Sequence, residues 1–226
     1  MTPETLSRLQ AAIAAKHPVA LCTRLADGTQ LLLPGDTADT ALSDAAAAAL
    51  LADKPTQHEG WFIHPHNPPM RLLIVGAVHA AQAMLPMASA LGFATTVIDP
   101  RRAFATAERL PGVTISHDWP DDAMAALRPD TRSAIVTLTH DPKIDDPALD
   151  AALRSPAFYI GALGSKRTHA RRVDRLREMG HDDAAIARIR APIGLDIKAL
   201  TAPEIGLSIM AEIIATRRGA GLAQRG

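Results

Sequence analysis

The stretch Leu72-Leu-Ile-Val-Gly-Ala-Val-His79 decides the fold: four apolar residues in a row, a glycine, then a segment that takes up helical spacing from Ala80 to Leu91. A short apolar run without alternation marks a strand buried on both faces, and a glycine directly after it marks the tight turn into a helix. The rhythm recurs downstream. Thr95-Thr-Val-Ile98 runs into Asp99, and Val113-Thr-Ile115, Ala134-Ile-Val-Thr-Leu138 and Phe158-Tyr-Ile160 read as further strands, with helices expected at about 120–127 and 145–154. Strand-helix alternation implies an α/β fold, a Rossmann-like doubly wound parallel sheet with right-handed crossovers. Beyond it the chain reads as helical. Ser165 to Met179 is amphipathic, Asp182 to Arg190 is short, and Thr201-Ala-Pro-Glu204 is a capping box opening a last helix to about Arg217.

Upstream the pattern differs, and residues 1–67 read as a small α+β N-terminal domain. Thr2-Pro3-Glu4 is a helix start, with a cap, a proline in the first turn and an acid at the positive end. Pro18 to Thr23 and Gln30 to Leu33 are strands joined at Asp27-Gly28, and Ser43 is the expected cap of a helix running to about Asp53. Glu59 to His64 forms another short strand. The prolines of His64-Pro-His-Asn-Pro-Pro69 rule out a central strand and place a boundary before a Rossmann-like domain at 70–226.

Composition narrows the function classes. Among 226 residues, 24 Lys and Arg balance 24 Asp and Glu, and aromatic residues make up 3%. Neither a basic coat nor a base-stacking platform is on offer, so nucleic acid is not an expected partner. The single cysteine, Cys22, excludes an internal disulfide, and with no recognisable leader a reducing cytoplasm is the expectation. No apolar run has the roughly 20 residues of a membrane span. Cys22 itself, among apolar neighbours, reads as a buried thiol, and Trp61 and Trp119 as packing residues. With many apolar helices, a homodimer is expected.

Four segments could carry chemistry. The first turn offers Gly76, but Val78 stands where a dinucleotide fingerprint has its second glycine, and a valine there crowds a pyrophosphate. Asp99 lies where a ribose-binding acid would, and equally where an acid would cap its own turn. Thr139-His-Asp-Pro-Lys-Ile-Asp145 follows the fourth strand. With strand order 3-2-1-4-5 it adjoins the first turn at the topological switch, so His79 and His140 converge on one cleft, with Asp141 beside them. His140, Asp141 and Asp145 are residue types that bind a metal or relay protons, but Asp145 by itself is read as the cap of the next helix. Tyr159-Ile-Gly-Ala-Leu-Gly-Ser-Lys-Arg167 ends the fifth strand in a glycine-bearing loop, with Ser165 opening a helix and two cations following. It is the strongest anion site in the chain, through Gly161, Gly164, Ser165, Lys166 and Arg167. The arginines at 171, 172, 175 and 177 continue that helix and read in part as a solvated or partner-facing surface. Finally, Ala191-Pro-Ile-Gly-Leu-Asp-Ile197 reads as a turn sealing the sheet, with Asp196 accepting helix N–H groups or facing the cleft.

In their order and spacing, Leu72–His79, Val97-Ile-Asp-Pro-Arg101, Phe104–Gly112, Thr137–Asp141, Tyr159–Arg167 and Pro192–Ile197 resemble the XdhC/CoxI family, accessory proteins of xanthine dehydrogenase and related molybdenum hydroxylases. The resemblance covers about residues 71 to 217. It implies a non-catalytic maturation chaperone that binds the molybdenum cofactor, as molybdopterin or its dinucleotide form, and helps insert it into an apo-enzyme, in some members after a cysteine desulfurase has acted. The family's first turn usually reads Gly-Ala-Gly-His, where this chain has Val78, and its Gly-Gly-Cys segment has no counterpart in residues 1–67, so no sulfur relay is assigned to Cys22. On this reading Gly161, Gly164, Ser165, Lys166 and Arg167 hold the phosphate end, while His79, His140 and Asp141 line the cleft. No catalytic or metal-ligating residue is assigned. Two other readings stand beside it: an NAD(P)-dependent oxidoreductase, with Gly76 and Asp99 on the nucleotide, or a module whose basic helix docks a partner without a small ligand.

Overall fold

The computed structural model describes residues 1–36 and 38–220, which divide into two units, Met1–Pro69 and Met70–Gly226. In the first, α1 (Pro3–Ala14) starts at Thr2, whose hydroxyl accepts from the Thr5 N–H. β1 (Val19–Arg24) and β2 (Gln30–Leu33) form the expected hairpin. The helix α2 (Thr40–Ala52) is capped not by Ser43 but by Asp39, whose carboxylate accepts from the Leu42 N–H at 2.6 Å, so the helix begins one turn earlier than expected. β3 (Thr56–His58) and β4 (Trp61–His66) make a second hairpin in which Glu59-Gly60, both at positive φ, is the turn rather than part of a strand.

The antiparallel order is β2-β1-β4-β3. β4 continues through Pro65 against the expectation that prolines end it. β3 pairs only with residues 61–63, so at Pro65 one side of the strand has no ladder to interrupt. Alternation along β1 divides the core. Ala20 and Cys22 face α2 with Leu42, Ala46 and Ile63, while Val19 and Leu21 face Leu9 of α1. Burial pushes the Cys22 thiol up to about 11.

The second unit is a parallel sheet: β5 (Arg71–Val75), α3 (His79–Ala90), β6 (Ala94–Ile98), β7 (Thr114–Ser116), α4 (Pro120–Leu127), β8 (Ser133–Thr137), α5 (Pro142–Leu153), β9 (Tyr159–Ala162), α6 (Lys166–Glu178), α7 (Asp183–Ile186), β10 (Ile189–Arg190) and α8 (Ala202–Arg217). The order is β10-β9-β8-β5-β6-β7, a doubly wound arrangement whose direction reverses between β5 and β8, with one short strand more than the sequence reading supplied. Leu72 and Ile74 point to the layer formed by α3 and α8, Leu73 and Val75 to the layer that includes α4, α5 and α6. That explains the unbroken apolar run: both faces are covered. Gly206 of α8 lets that helix pack closely on Met84 and Ala83 of α3. The 191–197 turn is pinned from within. Glu212 of α8 accepts from the Tyr159 hydroxyl at 2.5 Å and from the Gly194 N–H at 2.8 Å, whereas Asp196 stays at the surface with Lys198. Trp61 packs in its core, but Trp119, expected to pack, is 52% exposed ahead of α4. No helix among the described residues is long and apolar enough to cross a membrane.

A protonated, fully buried thiol should resist alkylation. Native protein treated with iodoacetamide at pH 8 is expected to keep Cys22 unmodified by mass spectrometry, while the same protein in denaturant takes up one adduct.

Candidate functional site

In a doubly wound sheet, ligand sites collect at the carboxyl ends of the strands where the winding reverses. Here the reversal brings the turn after β5 against the loop after β8. Gly76, at φ +110°, is what permits it: a Cβ at this position would lie 2.5 Å from Thr139 Cγ2. Asp99, at the end of β6, is wholly buried and already engaged. It accepts from the Ala77 N–H at 2.8 Å, from the Arg101 N–H at 3.0 Å, and from two nitrogens of the Arg101 guanidinium at 2.9 Å each. Burial opposes its ionisation, but these donors outweigh it and hold the carboxyl below its ordinary value. Of the two readings of Asp99, the structure displays the turn cap. His79 is the first residue of α3 and is exposed.

The loop after β8 carries unusual backbone. His140 sits at φ +64°, where non-glycine residues are rare. Asp145 makes this possible. Expected to cap α5, it instead reaches back from the first turn of that helix: Oδ1 accepts from the Thr139 hydroxyl at 2.7 Å and N–H at 3.3 Å, and Oδ2 from the His140 N–H at 3.1 Å. The capping position belongs to Asp141, which accepts from the Lys143 N–H at 3.0 Å. Asp145 is 1% exposed, and burial raises its pKa despite these donors.

Across from it lies α6, with Ser165 as N-cap accepting from the Thr168 N–H. The arginines of this helix do not form one solvated strip. Arg175 clasps Asp146 of α5 through both Nε and Nη2, and Arg177 pairs with Asp183. Arg172 points inward and is 2% exposed; its Nη2 donates to the Leu163 carbonyl at 3.0 Å and stands 3.8 Å from Asp145 Oδ2. Burial lowers its pKa, with Asp145 and Asp146 acting against that. Its Nε and Nη1 are buried without a hydrogen-bond partner among the described residues. Arg167 and Arg171 form no ion pair there and are exposed.

Between α5 and α6 these groups enclose a cavity of about 230 Å³. His140, Pro142, Asp145 and Asp146 line one side; Arg167, Thr168, Arg171, Arg172 and Arg175 line the other. Of the ten residues singled out from sequence, only His140 and Arg167 are in this lining. Asp141 caps α5, whose first turn lines the cavity, and Gly164, Ser165 and Lys166 directly precede Arg167 in the chain without being part of the lining. Gly164 lies close to Thr168, where an added Cβ would meet the threonine side chain at 3.1 Å. Gly76, His79 and Asp99 belong to the neighbouring first turn. Gly161 lies inside β9, and a Cβ there would sit 2.4 Å from Ile193 Cδ1, so its small size serves packing. Arg172, Thr168 and Asp146 were missed. The one signal for Arg172 was its place four residues before Leu176, which puts it on the apolar face of an amphipathic helix. No group of three or more His, Cys, Asp or Glu that could hold a metal ion occurs among the described residues.

A family model described as the XdhC Rossmann domain matches residues 72–213, the whole stretch that builds this cavity. The chain belongs to the XdhC family. Among curated relatives it is 34% identical over 168 residues to the molybdenum cofactor insertion chaperone PaoD of Escherichia coli, covering 72% of this chain and 46% of that protein. It is 29% identical over 163 residues to a protein of Bacillus subtilis described as a probable xanthine dehydrogenase subunit, covering 72% of this chain and 47% of that one. The chain thus spans about half the length of these relatives. A crystal structure of a protein described as a xanthine dehydrogenase from Bacillus halodurans shares the fold, with a TM-score of 0.74 and 24% identity, over 96% of this chain and 67% of that one.

The Asp99 turn should be acid-sensitive. A carboxyl whose folded pKa is depressed adds stability that is complete above its unfolded value of about 4 and is lost as pH falls through the folded pKa. Melting temperature should therefore drop as pH falls below about 4, and Asp99→Asn should lower it at pH 7 while flattening that acid-side slope. Gly161→Ala, which overpacks against Ile193, should cost about 1–3 kcal/mol in urea unfolding.

Proposed function

We propose that this protein is a non-catalytic accessory factor that holds a molybdenum cofactor and aids its insertion into an apo-enzyme of the xanthine dehydrogenase type. The observation that carries the reading is the 34% identity to an insertion chaperone over 72% of this chain, beside the arginine-lined cavity. The cofactor is cargo: a pterin with a phosphate or dinucleotide tail. The donor set suits phosphate oxygens, because a buried guanidinium with two unpartnered nitrogens needs acceptors. Ser165, Lys166 and Arg167, at the start of α6, would meet the phosphate end, on a loop shaped by Gly164, with Gly161 in the strand that leads into it. His79, His140 and Asp141 would face the pterin side. The partners on this reading are the apo-enzyme and a second copy of the chain, with a cysteine desulfurase where the cofactor is sulfurated.

The nicotinamide reading has less support. Val78 stands at the position that a dinucleotide's pyrophosphate must approach, and the Asp99 carboxylate is already taken by Ala77 and Arg101. Docking through a basic strip is weakened in the same way, since Arg172, Arg175 and Arg177 are engaged within the chain.

Protein purified anaerobically from a host that makes the cofactor, assayed for molybdenum and for fluorescent oxidised pterin, tests the proposal. Near-stoichiometric pterin is expected, falling at least about tenfold in a Lys166→Ala/Arg167→Ala variant that melts within a few degrees of the parent. Absence of pterin from both proteins refutes the carrier reading; equal pterin in both refutes the placement at α6.

A further inference from the structure

We propose that the cavity between the amino ends of α5 and α6 is a binding site for a terminal phosphate monoester, anchored by the buried Arg172. This deepens the accessory reading by naming which end of the carried molecule is gripped, but the site is testable on phosphate alone.

Arg172 carries the argument. A guanidinium has five N–H donors, and burying it without satisfying them is costly. Only Nη2 is used, on Leu163 and toward Asp145, while Nε and Nη1 are buried without partners. A chain that needed this residue only to fill space would be better served by an apolar side chain of similar length. Its retention in the wall of a cavity fits a ligand that brings oxygens to it, and the planar fork suits two oxygens of one phosphorus.

Charge selects the ligand class. The lining holds four arginines against two aspartates, a surplus of two positive charges. The two carboxylates would repel an anion, but both are occupied: Asp146 by the bidentate Arg175, Asp145 by the Thr139 and His140 donors. What remains outward is Arg167 and Arg171, at the positive end of α6. A phosphate monoester carries about −1.5 to −2 at neutral pH, which matches this surplus. Size points the same way. About 230 Å³ falls below the roughly 300–1,000 Å³ of pockets that enclose a whole drug-sized ligand. The site thus takes the end of a molecule, and a bridging diphosphate, flanked on both sides, does not present such an end.

Calorimetric titration with inorganic phosphate and with phenyl phosphate tests this, alongside NAD, whose phosphates are all bridging. Saturable one-to-one binding of the first two is expected, at least about tenfold weaker in Arg172→Lys, which keeps the charge but loses the fork. Should that buried variant not fold, Arg167→Ala/Arg171→Ala alters only exposed residues and should weaken both ligands by a similar factor. No saturable binding to folded wild-type protein overturns the proposal, as does binding that the variants leave unchanged. NAD binding as tightly as phenyl phosphate and lost in the same variants overturns the monoester assignment. Failure of the carrier reading shows separately, as absence of pterin from protein that still binds phosphate.

Discussion

Two opposite charges lie below the surface where α5 faces α6, and the carboxyl edge of the sheet is organised around them. Asp145 and Arg172 each retain about 2% of their side-chain exposure and stand 3.8 Å apart. Removing either ion from water costs several kcal/mol, and a single attraction at that distance does not repay it. The balance is met by sharing. Asp145 also collects the Thr139 hydroxyl and two N–H groups of the loop after β8, and Arg172 also donates to the carbonyl of Leu163 after β9. One ion pair thereby joins two helices and the ends of two neighbouring strands.

This coupling explains why the left-handed backbone of His140 persists. Strain of that kind survives only where the surroundings over-determine it. The Asp145 carboxylate, fixed in the first turn of α5, leaves the loop no other way to satisfy its N–H groups. The first turn is held by a parallel device, Asp99 drawing in Ala77 and Arg101. The two devices sense each other: Arg101 is kept protonated chiefly by Asp99, with smaller contributions from Asp141 and Asp145. The turn where a dinucleotide would sit in a related fold is therefore closed by its own hydrogen bonds, and the open space lies one strand over, between α5 and α6.

Much of the fold was legible because burial on both faces of a parallel sheet leaves a plain trace, a run such as Leu72–Val75 with no alternation. Caps that act over three residues were legible for the same local reason, at Thr2, Ser165 and Thr201. Errors arose where two local signals competed. Ser43 and Asp39 both suit a cap, and the acid took the position. Asp141 and Asp145 both suit the start of α5, and the one further into the helix turned back to the loop. Pro65 misled because the prohibition on proline in a central strand lapses where the neighbouring strand has ended.

The sequence by itself determined the class of fold, the order of its elements, the loop that opens α6 and, through motif order, the family. These depend on period, on composition and on residues a few positions apart. Tertiary structure alone decided that Gly161 serves Ile193, that Asp99 is closed off within its turn, and that Arg172 rather than Lys166 lines the cavity. An arginine on a helix looks the same in sequence whether it meets water or a carboxylate 27 residues away. Only the packing of α6 against α5 sets its solvation, and solvation determines whether its charge is a surface feature or the centre of a site.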